Sequence, residues 1–297
     1  MEISMRFKNA PLGSESIDVA QIAPLSFTRT DAFYELEQLI GLKPVKRTIA
    51  EITAFSLIQK QRNDKGLKSC PTVLHAIFKG NPGTGKTTVA RIIGKIFQDI
   101  GVLSRGHLVE AERADLVGEY IGHTAQKTKE ILKKSLGGVL FVDEAYTLAQ
   151  GGEKDFGKEA IATLVKAMED QRNNLVVILA GYCSEMDAFI NSNPGLRSRF
   201  PLQIDFSDYD GDELFQIALQ MYTERDYELS SKCRWKLKTK LNEFVKRHHP
   251  HSGNARYVRN MVEKSIRLQA LRIVDNNNLT RRNLMTLEEV DLPDSME

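Results

Sequence analysis

Residues 73–97 constrain this chain more than any other stretch. An apolar, β-prone run, Val73-Leu74-His75-Ala76-Ile77-Phe78, leads into Gly80-Asn81-Pro82-Gly83-Thr84-Gly85-Lys86-Thr87-Thr88. From Val89 to Phe97 apolar residues then recur at helical spacing. The middle satisfies G-x-x-x-x-G-K-[ST] between Gly80 and Thr87, with the strand before it and the helix after it that such a loop needs. Gly83 and Gly85 permit torsions and a close backbone approach that a Cβ would forbid. Peptide N–H groups feeding a helix N-terminus turn towards anions, and the helix dipole adds to their pull. Lys86 brings a mobile cation for β- and γ-phosphates, and Thr87 a hydroxyl for magnesium. The spacing predicts a site for a nucleoside triphosphate.

A chain of 297 residues is long enough for one large or two ordinary domains with a real core. Hydrophobic residues at 41% and charged residues at 27% are those of a soluble globular protein. A net charge of +2 gives no general affinity for polyanions and argues against nucleic acid as the main partner. Cys70, Cys183 and Cys233 lie far apart without ligand spacing, which disfavours zinc or a disulfide framework and suits a reducing compartment. The opening Met1-Glu2-Ile3-Ser4-Met5-Arg6 lacks the apolar core of a signal peptide, and no apolar run approaches the ~20 residues of a membrane span. The expectation is a cytoplasmic protein without a membrane partner.

Residues 1–31 show no sustained periodicity and read as an N-terminal arm. A short helix is expected over Ala32 to Leu39, and a second one after Pro44, a residue the first helical turn tolerates. Short strands are expected at His107 to Ala111 and Leu202 to Phe206, and wholly apolar ones at Gly138 to Val142 and Leu175 to Ala180, as in strands buried on both faces. Helices are expected over Ala125 to Leu136 and Asp155 to Asp170. That alternation implies a doubly wound parallel sheet over residues 32–207, with ligands at the carboxyl ends of its strands. From Glu213 to Val274 the pattern is helical, so residues 208–297 are expected to form a small helical domain, with Trp235 in its core.

Asp143-Glu144 ends an apolar strand, where Asp143 can hold magnesium through its water shell and Glu144 can take a proton from an attacking water. Asn193 to Phe200 puts Arg197 and Arg199 in a loop before the fifth strand, and arginine suits charge building on a transferring phosphoryl group. Gly253-Asn254-Ala255-Arg256 opens a helix of the small domain, from which Arg256 could reach back towards phosphates. His248-His249-Pro250-His251 has no acid or cysteine partner and reads as a solvated turn. Lys127, Lys129, Lys133 and Lys134 read as a wet helix face.

Together these parts resemble the AAA+ ATPases, whose αβ core is followed by a helical lid. Within them the chain is most similar to the branch that holds a sporulation protein and the red-type rubisco activases. The supporting phrases are GNPGTGKTTVAR (80–91), GHLVEAERADLVGEYIGHTAQK (106–127), LGGVLFVDEA (136–145), DFGKEA (155–160), NPGLRSRF (193–200) and GNARYVRN (253–260). The resemblance implies ATP and magnesium as cofactors and assembly into a ring, expected to be a hexamer, that acts on a protein client. It also implies that Tyr120-Ile121-Gly122 is a pore loop gripping polypeptide, with a second such loop near Ala149 to Lys154. Ile40-Gly41 falls at the segment that packs on adenine, Arg199 at the finger that reaches a neighbour's ATP (Arg197 being a second candidate), and Arg256 at sensor 2. One departure stands out: where many members end the fourth strand in a polar sensor 1, this chain continues Gly181-Tyr182-Cys183, so no sensor 1 is assigned.

Two function classes remain open: a motor that remodels a client, in spore maturation or as a rubisco-activase-type remodeller, and an ATP-regulated scaffold or switch that does not thread. A helicase loader or clamp at DNA is disfavoured by the near-neutral charge and by Tyr120. The client is not written in the sequence. If the sporulation role holds, the compartment is the mother-cell cytoplasm.

Overall fold

The computed structural model describes residues 30–294 except 71–72, 121, 152–154, 248–252 and 276–278. Five parallel strands make the sheet: β1 (Ala76–Gly80), β2 (Leu108–Ala111), β3 (Val139–Val142), β4 (Val176–Gly181) and β5 (Leu202–Phe206). Their spatial order is β2-β3-β4-β1-β5. The phosphate loop therefore leaves one central strand, and Asp143-Glu144 leaves another, with β4 between them. Adjacent strands lie ~4.8 Å apart, so the two motifs face each other across roughly 10 Å.

Alternation along the strands divides the interior in two, as a sheet covered on both faces requires. Ala76, Phe78, Val139, Phe141, Ile178 and Ala180 point to one face, where α1 (Asp31–Gln38), α2 (Lys43–Asp64) and α3 (Lys86–Asp99) pack. Ile77, Leu140, Val142, Val177 and Leu179 point to the other. There they meet α4 (Arg113–Leu116), α5 (His123–Ser135), α6 (Gly157–Asp170), α7 (Cys183–Ser192) and α8 (Pro194–Arg199). The Arg197–Arg199 segment is thus a short helix rather than the expected loop. Asn193 caps it by accepting from Gly195 N at 2.9 Å, and Pro194 supplies a preset first turn.

After β5 the chain is helical, with α9 (Gly211–Thr223), α10 (Ser231–Lys246), α11 (Asn254–Asp275) and α12 (Arg281–Met285). Asp210 and Glu213 close a reciprocal cap at the start of α9, at 2.7 and 3.0 Å. The lid also contains a two-residue parallel ladder, β6 (Glu228–Leu229) with β7 (Thr286–Leu287), too short for its alternation to register in sequence. Trp235 is 72% exposed, against expectation. The buried stripe of α10 is Cys233, Leu237 and Leu241, spaced four apart, and position 235 falls on the opposite side. Residues 1–29 and 248–252 lie outside the described set, so the arm and the histidine turn are not seen. Lys127, Lys129, Lys133 and Lys134 are all exposed, as expected, and Lys127 also donates through Nζ to the Ala114 and Val117 carbonyls, linking α5 to α4.

At the opposite edge of the sheet from the loop, His75 enters β1 with 3% of its surface exposed. Its Nδ1 accepts from Val177 N at 3.0 Å, and its ring lies 6.1 Å from that of Phe200. Burial pushes its pKa down to about 4 from an ordinary 6.5. The unfolded chain then binds a proton near pH 6.5 that the folded chain refuses until about pH 4. The contribution is complete above pH 6.5 and should be lost as pH falls towards 4, by ~3 kcal/mol. Denaturant unfolding across that range checks this, and His75→Gln, which cannot titrate there, should flatten the slope.

Candidate nucleotide site

The glycine loop wraps its own lysine. Gly80, Gly83 and Gly85 have φ of +155°, +74° and +94°, and Gly85 stands as the N-cap of α3. Lys86 turns back so that Nζ donates to the Gly80 and Asn81 carbonyls at 2.7 and 2.9 Å. Burial lowers its pKa, opposed by the Asp143 carboxylate and reinforced by the Arg256 guanidinium. A cleft of ≈ 380 Å³ opens over the loop. Its wall includes Gly80, Pro82, Gly83, Gly85, Lys86, Thr87 and Thr88 from the loop, and Asp143 and Glu144 from the end of β3. Asn81 and Thr84 are turned away. Asn81 Nδ2 donates to Asp208 at 2.9 and 3.0 Å, and Thr84 Oγ1 donates to Asn81 O at 2.8 Å.

Asp143 and Glu144 occupy different positions in the cleft wall. Asp143 is half-buried, with Oδ1 accepting from Glu144 N at 3.0 Å. Glu144 is exposed and left-handed at φ +45°, a conformation uncommon outside glycine, and it starts a 3₁₀ turn over Ala145–Ala149. The backbone thus swings the two consecutive carboxylates apart. Tyr146 in that turn has its hydroxyl pKa raised to about 12 by burial first and by Glu144 next.

The lid closes the cleft from above. Ala255, Arg256 and Arg259 of α11 are in its wall. Ala255 N donates to Gly83 O at 3.1 Å, and a Cβ on Gly83 would sit 2.2 Å from Gly253 O. Gly83 is therefore needed for the lid as well as for phosphate.

Five cleft residues were not foreseen: the small residues Gly181 and Ala255, and the larger side chains Arg91, Arg259 and Tyr182. Two were within reach of sequence reasoning, because Arg91 lies one helical turn beyond Thr87 and Arg259 one beyond Arg256. Tyr182 follows Gly181, where the sequence departs from the family pattern. A Cβ on Gly181 would come within 2.8 Å of both the Tyr146 ring and Met186 Sδ, so a side chain there would have to displace one of them. The next side chain, Tyr182, takes the place in the wall, its ring 6.1 Å from that of Tyr146.

Other expected site residues stand elsewhere. Ile40 and Gly41 do not border this cleft, and Gly41 backs onto Glu213 and Tyr209 at the start of the lid. Arg197 and Arg199 are not part of it either. Arg199 pairs with Glu169 on α6 and exerts its charge on His75, about 15 Å of strand away from the loop. Tyr120 is 66% exposed on the α4–α5 connection, edge-on to His123 at 5.5 Å. Gly122 caps α5 at φ +85°, and Ile121 lies outside the described residues, as do 152–154 of the second expected loop.

A glycine loop on a helix N-terminus, with a lysine and acids across a cleft, defines a phosphate-binding ATPase core beneath a helical lid. The family described as "ATPase family associated with various cellular activities (AAA)" matches residues 76–208, and the AAA lid domain matches residues 210–297. The chain belongs to the AAA+ ATPases; it binds nucleotide and hydrolyses ATP. It is 56% identical to stage V sporulation protein K of Bacillus subtilis over 259 residues, 87% of this chain and 80% of that protein. It is 50% identical to protein CfxQ of Xanthobacter flavus, over 86% of this chain and 81% of that protein. Against protein CbbX of Cereibacter sphaeroides identity is 45%, over 86% and 83%. Among solved structures the AAA domain of FIGL-1 with ADP superposes at a TM-score of 0.60, with 15% identity, over 86% of this chain and 80% of that one. A point mutant of RuvB from Thermotoga maritima gives 0.54 with 20% identity, over 84% and 70%. Both show the fold alone. Among the described residues no helix is long and apolar enough to cross a membrane.

Lys86→Ala should abolish ATP binding, because the backbone cradle survives but its mobile cation is gone. Titration with a fluorescent ATP analogue checks this, and tight binding by the variant would mean that the triphosphate sits elsewhere.

Proposed function

We propose that the chain is a ring-forming ATPase, working as a hexamer, that uses ATP and magnesium to remodel a protein client. The cleft fits those cofactors. Thr87 and Asp143 offer the hard oxygen donors that magnesium takes, and Lys86, Arg91, Arg256 and Arg259 supply the cations for a triphosphate. In this reading Thr87 and Asp143 would hold magnesium, which would supply positive charge to offset that of the phosphates. Glu144, exposed to the cleft, accepts the proton of the attacking water. Lys86 leaves its two loop carbonyls for the β- and γ-phosphates, and Arg256 reports their presence to the lid. Ile40-Gly41, outside the cleft wall, would meet the base only where it extends past the phosphates towards Tyr209. The domain division that goes with this is an arm over 1–31, the αβ unit over 32–207 and the lid over 208–297.

Arg199 cannot serve its own chain's cleft from the far edge of the sheet, which supports a role towards a neighbour's ATP, with Arg197 beside it. The observation that carries the motor reading is Tyr120: a large aromatic, 66% exposed, in the short connection between α4 and α5. Such a ring can wedge against any polypeptide by shape and apolar contact. Spore maturation and a rubisco-activase-type role stand side by side as finer readings, since the named relatives match over the same part of the chain. A cytoplasmic setting accompanies both, the mother cell for the first.

Arg199→Ala should bind ATP normally yet turn it over ~10³-fold more slowly. Mixing it with Lys86→Ala subunits, which lack ATP but keep a finger, should restore part of the rate; no recovery in co-assembled rings would mean a finger acting within one chain. Tyr120→Ala should keep ATP binding, assembly and near-normal basal hydrolysis, while stimulation of hydrolysis by an unfolded protein such as casein is lost. Tyr120→Phe should retain most of it. Full stimulation in Tyr120→Ala would make the protein a switch or scaffold.

A further inference from the structure

Three consecutive carbonyls of the phosphate loop are held by the residues that hinge and open the lid. Pro82 O accepts from Asn254 Nδ2 at 3.3 Å, Gly83 O from Ala255 N at 3.1 Å, and Thr84 O from the Tyr209 hydroxyl at 3.2 Å. Asn254 is the centre of this arrangement. Its Nδ2 also donates to Asp208 Oδ1 at 2.7 Å, and its Oδ1 accepts from Tyr209 N at 3.0 Å. Asp208 in turn accepts from Asn81 on the loop. One amide therefore ties the loop, the β5–lid junction and the start of α11 at a single point.

The residue is placed there at a conformational cost. Asn254 is left-handed at φ +44° and 1% exposed. Few side chains tolerate that backbone, and asparagine is one of them. A primary amide alone combines two N–H donors with an acceptor on so short a stem, which is what the loop carbonyl, the carboxylate and the Tyr209 N–H require.

We propose that Asn254 is a positioning residue for ATP hydrolysis: an amide pivot that fixes α11 on the phosphate loop and so presents Arg256 and Arg259 to the phosphates. Arg256 and Arg259 follow two and five residues along the same helix, ~3 and ~7.5 Å up its axis. A tilt at Asn254 moves both together. Any shift of the loop carbonyls on nucleotide exchange is passed to the lid through the same three bonds.

The proposal rests on the loop being the ATP site, so Lys86→Ala is measured alongside. In the full-length protein, Asn254→Asp keeps an acceptor for Tyr209 N but sets a carboxylate against Asp208. It should lower kcat/KM for ATP at least ~10-fold, because a charge-assisted bond becomes a repulsion. The exchange N254D/D208N returns an amide opposite a carboxylate and should recover most of that loss, which a residue serving only to fill space would not do. Asn254→Gly accepts the left-handed backbone without the side chain. It should lose ~10-fold in kcat/KM in a protein that still folds, its unfolding temperature lowered by the hydrogen bonds removed, and it decides the matter if Asn254→Asp does not fold. Wild-type kcat and KM in Asn254→Gly, or an exchange variant no better than a folded Asn254→Asp, overturns the pivot. If Lys86→Ala still hydrolyses ATP, the site reading falls and the pivot with it. If Lys86→Ala is dead and Asn254→Gly is normal, only the pivot falls.

Discussion

The phosphate loop and the lid meet along a surface with no room for a β-carbon. Gly83 lies so close to Gly253 and Arg256 that the two backbones bond directly, Ala255 N to Gly83 O. Most of the site depends on that approach. It turns the loop carbonyls towards the lid, which leaves the N–H groups free to face the cleft. It also places the first turn of α11, with its two arginines, against the mouth of the cleft rather than in solvent. A loop that binds phosphate needs glycine for its own torsions; here one of those glycines also joins two domains.

The cleft's charge is a local construction. A chain of net charge +2 gathers Lys86, Arg91, Arg256 and Arg259 around two carboxylates, with Arg91 also paired to Glu110, so cations outnumber carboxylates in the cleft wall of a nearly neutral molecule. Field lines are focused there by the low-dielectric walls of sheet and lid. Lys86 is held by two backbone carbonyls, whose partial charges stabilise the ammonium. The arrangement keeps a cation in place that is free to change partners.

The central strands and their order of alternation with helices were legible because they are buried on both faces: Val139 to Val142 and Val176 to Gly181 have no solvent side to confuse the pattern. The loop and Asp143-Glu144 were legible because their chemistry tolerates few other residues. What escaped depended on geometry that periodicity does not encode. Trp235 looked like core by its nature, but two residues of rotation from the Cys233–Leu237–Leu241 stripe put it outside. The departure at Gly181-Tyr182-Cys183 was visible, but its setting was not, since the Tyr146 ring and Met186 crowd Gly181 only in the folded chain. The helix carrying Arg197 and Arg199 hid behind Pro194 and Gly195, which read as turn residues until Asn193 is seen capping them.

The ladder between β6 and β7 sets an order of events. Glu228–Leu229 has no strand partner until Thr286–Leu287 exists, and the lid interior also needs Leu287, Asp291 and Leu292, each at most 2% exposed. Arg272 grips Asp291 with two bonds of 2.7 and 2.8 Å, and Lys236 reaches Asp294 at 3.2 Å. During synthesis the sheet and its phosphate loop therefore have all their strands some eighty residues before the lid can close, counting from Phe206 to Thr286. A nascent chain can shape the cradle for phosphate long before it can hold Arg256 over it. The ATPase is completed last at β7 and the residues after it, so a chain that stops short of residue 286 lacks the strand that its lid needs.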